Sequence, residues 1–384
     1  MFSVLAVYAQ NNQEYKYKDA NFIDVKLHSG MVINNYIYFD SFPKRKPSAL
    51  VEFKFGKQTT GSKNWQQFYG FPKVGISAIG GYLGNSKELG YMFGIMPDIV
   101  FNTLNENKWS MKIRTGFGFA YFNKPYDTIT NFGNILVGSH FTTLVAIDLY
   151  FQRNITEKLN FKFGLSGIHA SNGHTGLPNV GLNMININAG FNYYFDKKPT
   201  KFNRNQDFLP NKNLKYVIRF GLGTHKFGNE LGPHDSPSYS IYDAAFYVGK
   251  PIGSLGSLYA GLGYKYYNSF YEKIIERNIF SENQHLKASE FTFLLAYEFE
   301  MGQLCFLTQG GLNIYKPFWA DFVELVDEDL SLFKKIEGII TVRLGLQYYV
   351  FDKYKYNNNI FFGLYIKANM GAADFISFNT GFAF

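Results

Sequence analysis

Two residues of this chain, His169 and Ser171, have the types and the spacing that acyl-transfer chemistry needs. A serine hydroxyl is a weak nucleophile until a base takes its proton, and the base needs a third group to hold its tautomer. Both residues close an alternating apolar segment, where positions i and i+2 point to the same face of a strand. Asn183, at the start of the next alternating segment, is their polar neighbour across a hairpin. It is read as the group that orients the imidazole, as asparagine does in Cys-His-Asn proteases. The intervening loop holds Asn172, Gly173 and Asn179, whose amide or backbone N–H groups suit the stabilisation of an oxyanion.

The elements that must position these residues are strands. The 384 residues include 41 Phe, 29 Tyr and 37 Gly, a composition that favours β-structure over helix bundles. Apolar and polar residues alternate with period 2 through most of the chain. Ile23, Val25 and Leu27 oppose Asp24, Lys26 and His28, and Ile147, Leu149 and Phe151 oppose Asp148 and Gln152. Ionisable residues on one face and aromatics on the other are the pattern of a membrane barrel, polar inside and apolar toward lipid. About sixteen such segments begin near residues 22, 47, 73, 89, 107, 138, 156, 182, 214, 239, 256, 288, 303, 336, 358 and 373. The expected fold is therefore all-β: one antiparallel transmembrane β-barrel of about sixteen strands, with two eight-stranded units as the alternative.

Connections support the count. Long loops at 34–46, 123–137, 172–181, 225–238, 268–287 and 316–335 follow odd strands, as outer loops do when the short turns are periplasmic. Two even-side connections break the rule, 58–72 and the polar linker 197–213. In the seventh segment, Leu159, Phe161, Phe163, Leu165, Gly167, His169 and Ser171 share the lipid-facing side. Asn183 joins them from the eighth. Polar residues on a lipid face are costly unless they serve something, so a lipid-facing His–Ser pair points to chemistry on a lipid.

His169-Ala-Ser171-Asn172, followed by Pro178-Asn179-Val-Gly181-Leu-Asn183, resembles the lipid A 3-O-deacylase (PagL-like) family of outer-membrane esterases, best over about residues 70 to 196. The resemblance implies Ser171 as nucleophile, His169 as base and an oxyanion role for Asn179, with the 3-O-linked 3-hydroxyacyl chain of lipid A as the group removed. Asn172 matches the motif and takes a supporting role. The family's acidic member of the triad is a glutamate, and the corresponding position here is Asn183. The longer chain is similar to proteins described as acyloxyacyl hydrolases, which share the motif. On this reading residues 22–196 form the deacylase-like part, 197–213 a linker and 214–384 further strands of a barrel spanning 10–384. Residues 1–9 read as a signal-peptide remnant. The implied partners are lipopolysaccharide and outer-membrane lipids, and the implied location is the bacterial outer membrane, with the site toward the outer leaflet.

Other readings have their own residues. The formal charge of +8 suits an anionic lipid surface as well as nucleic acid, and no nucleic-acid motif accompanies it. The single cysteine, Cys305, excludes an internal disulfide framework. The esterase chemistry asks for no metal or cofactor. His225 and His234, with Glu230 and Asp235, have spacing that fits no standard metal site. Lys44-Arg45-Lys46 is a basic run that could attract phosphates. The acidic stretch 321–333 suggests a short helix in a surface loop. A sixteen-stranded barrel could also hold an aqueous channel, and long outer loops could serve a structural or adhesive barrel without catalysis.

Overall fold

The computed structural model describes residues 17–33, 44–106, 109–204, 213–228, 231–232, 234–319, 336, 338–353, 355–370 and 372–384. The proposed signal remnant and the acidic stretch 321–333 lie outside the described residues, as does Glu230. Sixteen strands form among the described residues. The first eight are β1 (Ala20–Val32), β2 (Ser48–Gln58), β3 (Lys73–Tyr82), β4 (Tyr91–Glu106), β5 (Trp109–Phe122), β6 (Phe141–Asn154), β7 (Leu159–Ser171) and β8 (Leu182–Tyr194). They are followed by β9 (Lys215–Lys226), β10 (Ser238–Ile252), β11 (Gly256–Tyr267), β12 (Ser289–Met301), β13 (Leu304–Tyr315), β14 (Ile340–Tyr349), β15 (Asn359–Asn369) and β16 (Ala372–Ala383). Each begins within a few residues of the position that the alternation suggested.

The expectation of one sixteen-stranded barrel is corrected. The strands close into two barrels of eight, β1 to β8 and β9 to β16, each antiparallel throughout. In the first, β8 returns to β1, with Ile23 opposite Tyr193 and Val25 opposite Phe191. In the second, β16 returns to β9, with Phe378 opposite Leu222 and Phe382 opposite Ile218. The alternation could not decide between these closures, because an apolar-out, polar-in strand satisfies a barrel of either size. Of the two connections that broke the loop-length rule, one marks the boundary between the barrels. The linker 197–213 is the point where one closed sheet ends and the other begins. The segment 58–72 holds a short helix, Asn64–Phe68, with Trp65 and Gln66 buried.

Closure at eight strands also bears on what the polar interior holds. A barrel of this size has an interior that side chains can fill. In the first barrel Arg114 donates to Asp148 at 2.9 Å, Glu52 at 3.1 Å and Asp98 at 3.2 Å. Lys26 bridges Glu52 and Asp148, Lys54 pairs with Asp98, and Lys162 with Asp24. Breaking such a pair would strand a buried charge, at a cost of about 3–5 kcal/mol. In the second barrel Asp243 accepts from Arg343 at 2.6 Å and Arg219 at 3.3 Å. A cavity of about 20 Å³ beside Arg219 and Tyr247 has room for roughly one water. With these filled interiors, the sixteen-stranded aqueous channel loses its geometric basis.

The outward faces carry the opposite chemistry. Phe53, Phe55, Phe93, Ile147, Leu165 and Ile187 are exposed on the first barrel, and Phe220, Leu262, Leu295 and Phe378 on the second. Apolar area displayed in this way is the surface of a protein that meets hydrocarbon. The inner face of the first barrel turns apolar toward the end that carries the β5–β6 loop. There Leu50, Met92, Phe122, Leu144, Ile168, Ala170, Leu182 and Met184 pack into one cluster with Leu136 and Val137 of the β5–β6 loop.

Candidate active site

His169 stands near the C-terminal end of β7. Its inward neighbours Ile168 and Ala170 are locked in the apolar cluster, so the strand turns the imidazole outward. Asn183 is held likewise on β8 between Leu182 and Met184. The hairpin register sets His169 directly opposite Asn183, where side chains on one face of an antiparallel pair meet. Their contact is a hydrogen bond of 2.7 Å between His169 Nδ1 and Asn183 Oδ1. An amide oxygen only accepts, so Nδ1 carries the proton. Nε2 is then left with its lone pair, which is the tautomer a general base needs.

Gly181 completes the setting of the ring. Its φ of +86° is a conformation that side chains other than hydrogen rarely adopt. A Cβ there would lie 3.1 Å from His169 Cε1. The backbone at this point is tied to the β5–β6 loop: Val180 N–H donates to Ile135 O at 3.1 Å and Gly181 N–H to Leu136 O at 3.0 Å. From the sequence Gly181 was legible within the motif and 123–137 as a long outer loop, but neither had a role beside His169. The Gly181 in the Pro-Asn-x-Gly run was the one available signal.

Ser171 departs from the simple alternation. Its parity puts it on the outer face with His169, yet it is only 6% exposed. Its cross-strand partner Thr143 is also buried and donates through Oγ1 to Ser171 O at 2.8 Å. The outer face is therefore open at the row of His169 and covered at the row of Ser171. Asn172 is buried and donates through Nδ2 to Ser139 Oγ at 3.1 Å. Asn179 is buried as well. Gly173 and Asn179 fall in the segment 173–179, which groups with the second compact unit, whereas His169, Ser171, Asn172 and Asn183 lie in the first.

Two other sequence candidates take different places. His225 is buried in the second barrel, with Nδ1 2.8 Å from Ser269 Oγ and Nε2 3.5 Å from Asp374 Oδ1, rather than paired with His234 and Asp235. In the basic run, Arg45 is used structurally, donating through Nε to Val32 O, while Lys44 and Lys46 are exposed.

Solved structures similar to the chain are outer-membrane proteins. The outer membrane protein opdK from Pseudomonas aeruginosa is 9% identical, with 96% of this chain and 98% of that chain covered and a TM-score of 0.22. OccAB4 of Acinetobacter baumannii is 8% identical over the same shares, with a TM-score of 0.24. A BenF-like porin from Pseudomonas fluorescens Pf-5 is 8% identical, also over 96% and 98%, with a TM-score of 0.20. Likeness this distant contributes nothing to the reading of the site. No curated protein matches the chain. Residues 51–192, a segment that runs from β2 into β8 and contains His169, Ser171 and Asn183, match the family model described as lipid A 3-O-deacylase (PagL).

Proposed function

We propose that the first barrel is an outer-membrane lipid A deacylase, a serine esterase that works on lipid from the side of the barrel. The observation that carries this reading is the 2.7 Å contact between His169 and Asn183 on an outward face, two residues from Ser171 and within the segment similar to lipid A 3-O-deacylase. His169 Nε2 takes the proton from Ser171 Oγ as the oxygen attacks the ester carbonyl carbon. By family resemblance the role of stabilising the tetrahedral oxyanion falls to Asn179, with Asn172 in support. As the adduct collapses, the C–O bond to the sugar breaks and its oxygen receives the proton from the imidazolium. Water, deprotonated by the same imidazole, then cleaves the acyl-enzyme and releases the fatty acid.

Asn183 holds the tautomer but brings no negative charge. A carboxylate would stabilise the imidazolium as well, so this site is built for orientation more than for charge. By family resemblance the chain removed is the 3-O-linked 3-hydroxyacyl group. The test is mass spectrometry of lipid A from outer membranes with and without the protein. The expected result is loss of one 3-hydroxyacyl chain, absent with Ser171→Ala. Unchanged acylation in the presence of folded wild-type protein would sink the proposal.

A further inference from the structure

The β5–β6 loop, residues 123–140, is tightly bonded and yet displays large apolar side chains. Several of its polar side chains knit it together. Asp127 Oδ1 accepts from Ile129 N–H at 3.0 Å, Thr130 N–H at 2.7 Å and Thr130 Oγ1 at 2.8 Å. Asn131 Nδ2 donates to the carbonyls of Pro125, Glu88 and Lys124 at 2.8, 3.0 and 3.2 Å. Asn134 Nδ2 adds a bond to Lys124 O at 2.7 Å. Among its exposed polar groups stand two apolar side chains: Ile129 is 87% exposed and Phe132 74%, the two most exposed large apolar residues described in the molecule. A loop this firmly built has no need to display them in order to fold, and exposed apolar groups on a rigid support mark a contact with something apolar.

The other end of the same loop reaches the site. Leu136 and Val137 are buried in the apolar cluster, and the carbonyls of Ile135 and Leu136 hold Val180 and Gly181, the latter against His169. The loop then runs into β6 at Phe141, 72% exposed and ring-packed against Tyr121 at 5.4 Å, within the outward apolar band. That continuity selects the occupant. We propose that the β5–β6 loop is a docking element for acyl chains, in which Ile129 and Phe132 engage the hydrocarbon of the lipid whose ester is presented to Ser171. The inference rests on the deacylase reading for the identity of that lipid. The loop's rigid link to Gly181 makes the docked chain and the imidazole parts of one frame.

Two measurements test it. The Ile129→Ser/Phe132→Ser double variant alters only exposed side chains. With lipid A in mixed micelles its KM is expected to rise on the order of ten-fold, since two apolar contacts are lost. Hydrolysis of a short water-soluble p-nitrophenyl ester should be unchanged. A KM equal to that of wild type overturns the proposal. The second measurement needs no catalysis. Phe132→Trp is placed in bilayers whose lipids carry bromine on their acyl chains, and the emission of the wild-type tryptophans is subtracted. Quenching of the added emission is expected, also in the Ser171→Ala background. Emission typical of water, without quenching, overturns the docking element. If wild-type protein fails to hydrolyse lipid A, the deacylase reading fails and the quenching result alone decides the loop.

Discussion

The two barrels each carry a histidine with a serine among its candidate partners, and the two imidazoles have opposite surroundings. In the first, His169 lies on the outer face, exposed, with Asn183 at 2.7 Å and Ser171 two residues along the strand. In the second, His225 is buried, with Ser269 on one ring nitrogen at 2.8 Å and Asp374 near the other at 3.5 Å. By residue type the second set is the better catalyst, since it has the carboxylate that the first lacks. Its surroundings say otherwise. Tyr267 and Phe270 pack edge-on against the His225 ring at 5.7 and 5.9 Å, and Asp374 is held by Tyr267 at 2.8 Å and Lys367 at 2.5 Å. Ser269 opens the helix Asn268–Arg277, fully buried. The comparison teaches that a histidine can serve a site only where a substrate can approach it: His169 is exposed, whereas His225 and Ser269 are both buried in a polar network.

Substitutions can break or sharpen this contrast. The largest effect is expected at the nucleophile: Ser171→Ala should lower deacylation by about 10³-fold or more, while Ser269→Ala leaves it within about two-fold, both followed by mass spectrometry of lipid A. A reversed outcome would exchange the roles of the two barrels. Next is the orienting residue. Asn183→Ala should reduce kcat by about 10²-fold with little change in KM, because it frees the imidazole tautomer. Asn183→Asp should raise kcat above wild type, by up to about ten-fold, if the missing charge is what limits the site; steady-state kinetics on purified lipid A reads both. Gly181→Ala is expected to cost about ten-fold in kcat, since a Cβ 3.1 Å from His169 Cε1 must displace the ring. Smallest for activity is His225→Ala, with deacylation unchanged. Its effect belongs to stability, a loss of about 1–3 kcal/mol from the unpaired partners, seen as a lower temperature at which the folded band disappears in heat-modifiability gels.

Much of this was legible along the chain. The alternation located all sixteen strands and assigned faces correctly, from Ile23 and Asp24 in β1 to Phe378 and Asn379 in β16. It did so because side-chain direction in a strand is a local property with period 2. His169 and Asn183 were matched as neighbours because a hairpin leaves few registers open. The covering of Ser171 was not legible, since its parity is that of an open outer position and its burial depends on chain remote in sequence. Nor was the role of the β5–β6 loop, whose tie to Gly181 runs through backbone groups that every residue possesses.

What the sequence by itself determined is which residues face outward, where each strand starts and which polar side chains share the rim of β7 and β8. Tertiary structure alone decided that β8 closes on β1 and β16 on β9. An apolar-out, polar-in strand is equally content with either neighbour, so the choice between one wide barrel and two narrow ones lies in which edges find each other. That choice filled both interiors with ion pairs and left the outer face of the first barrel as the surface on which His169 is exposed.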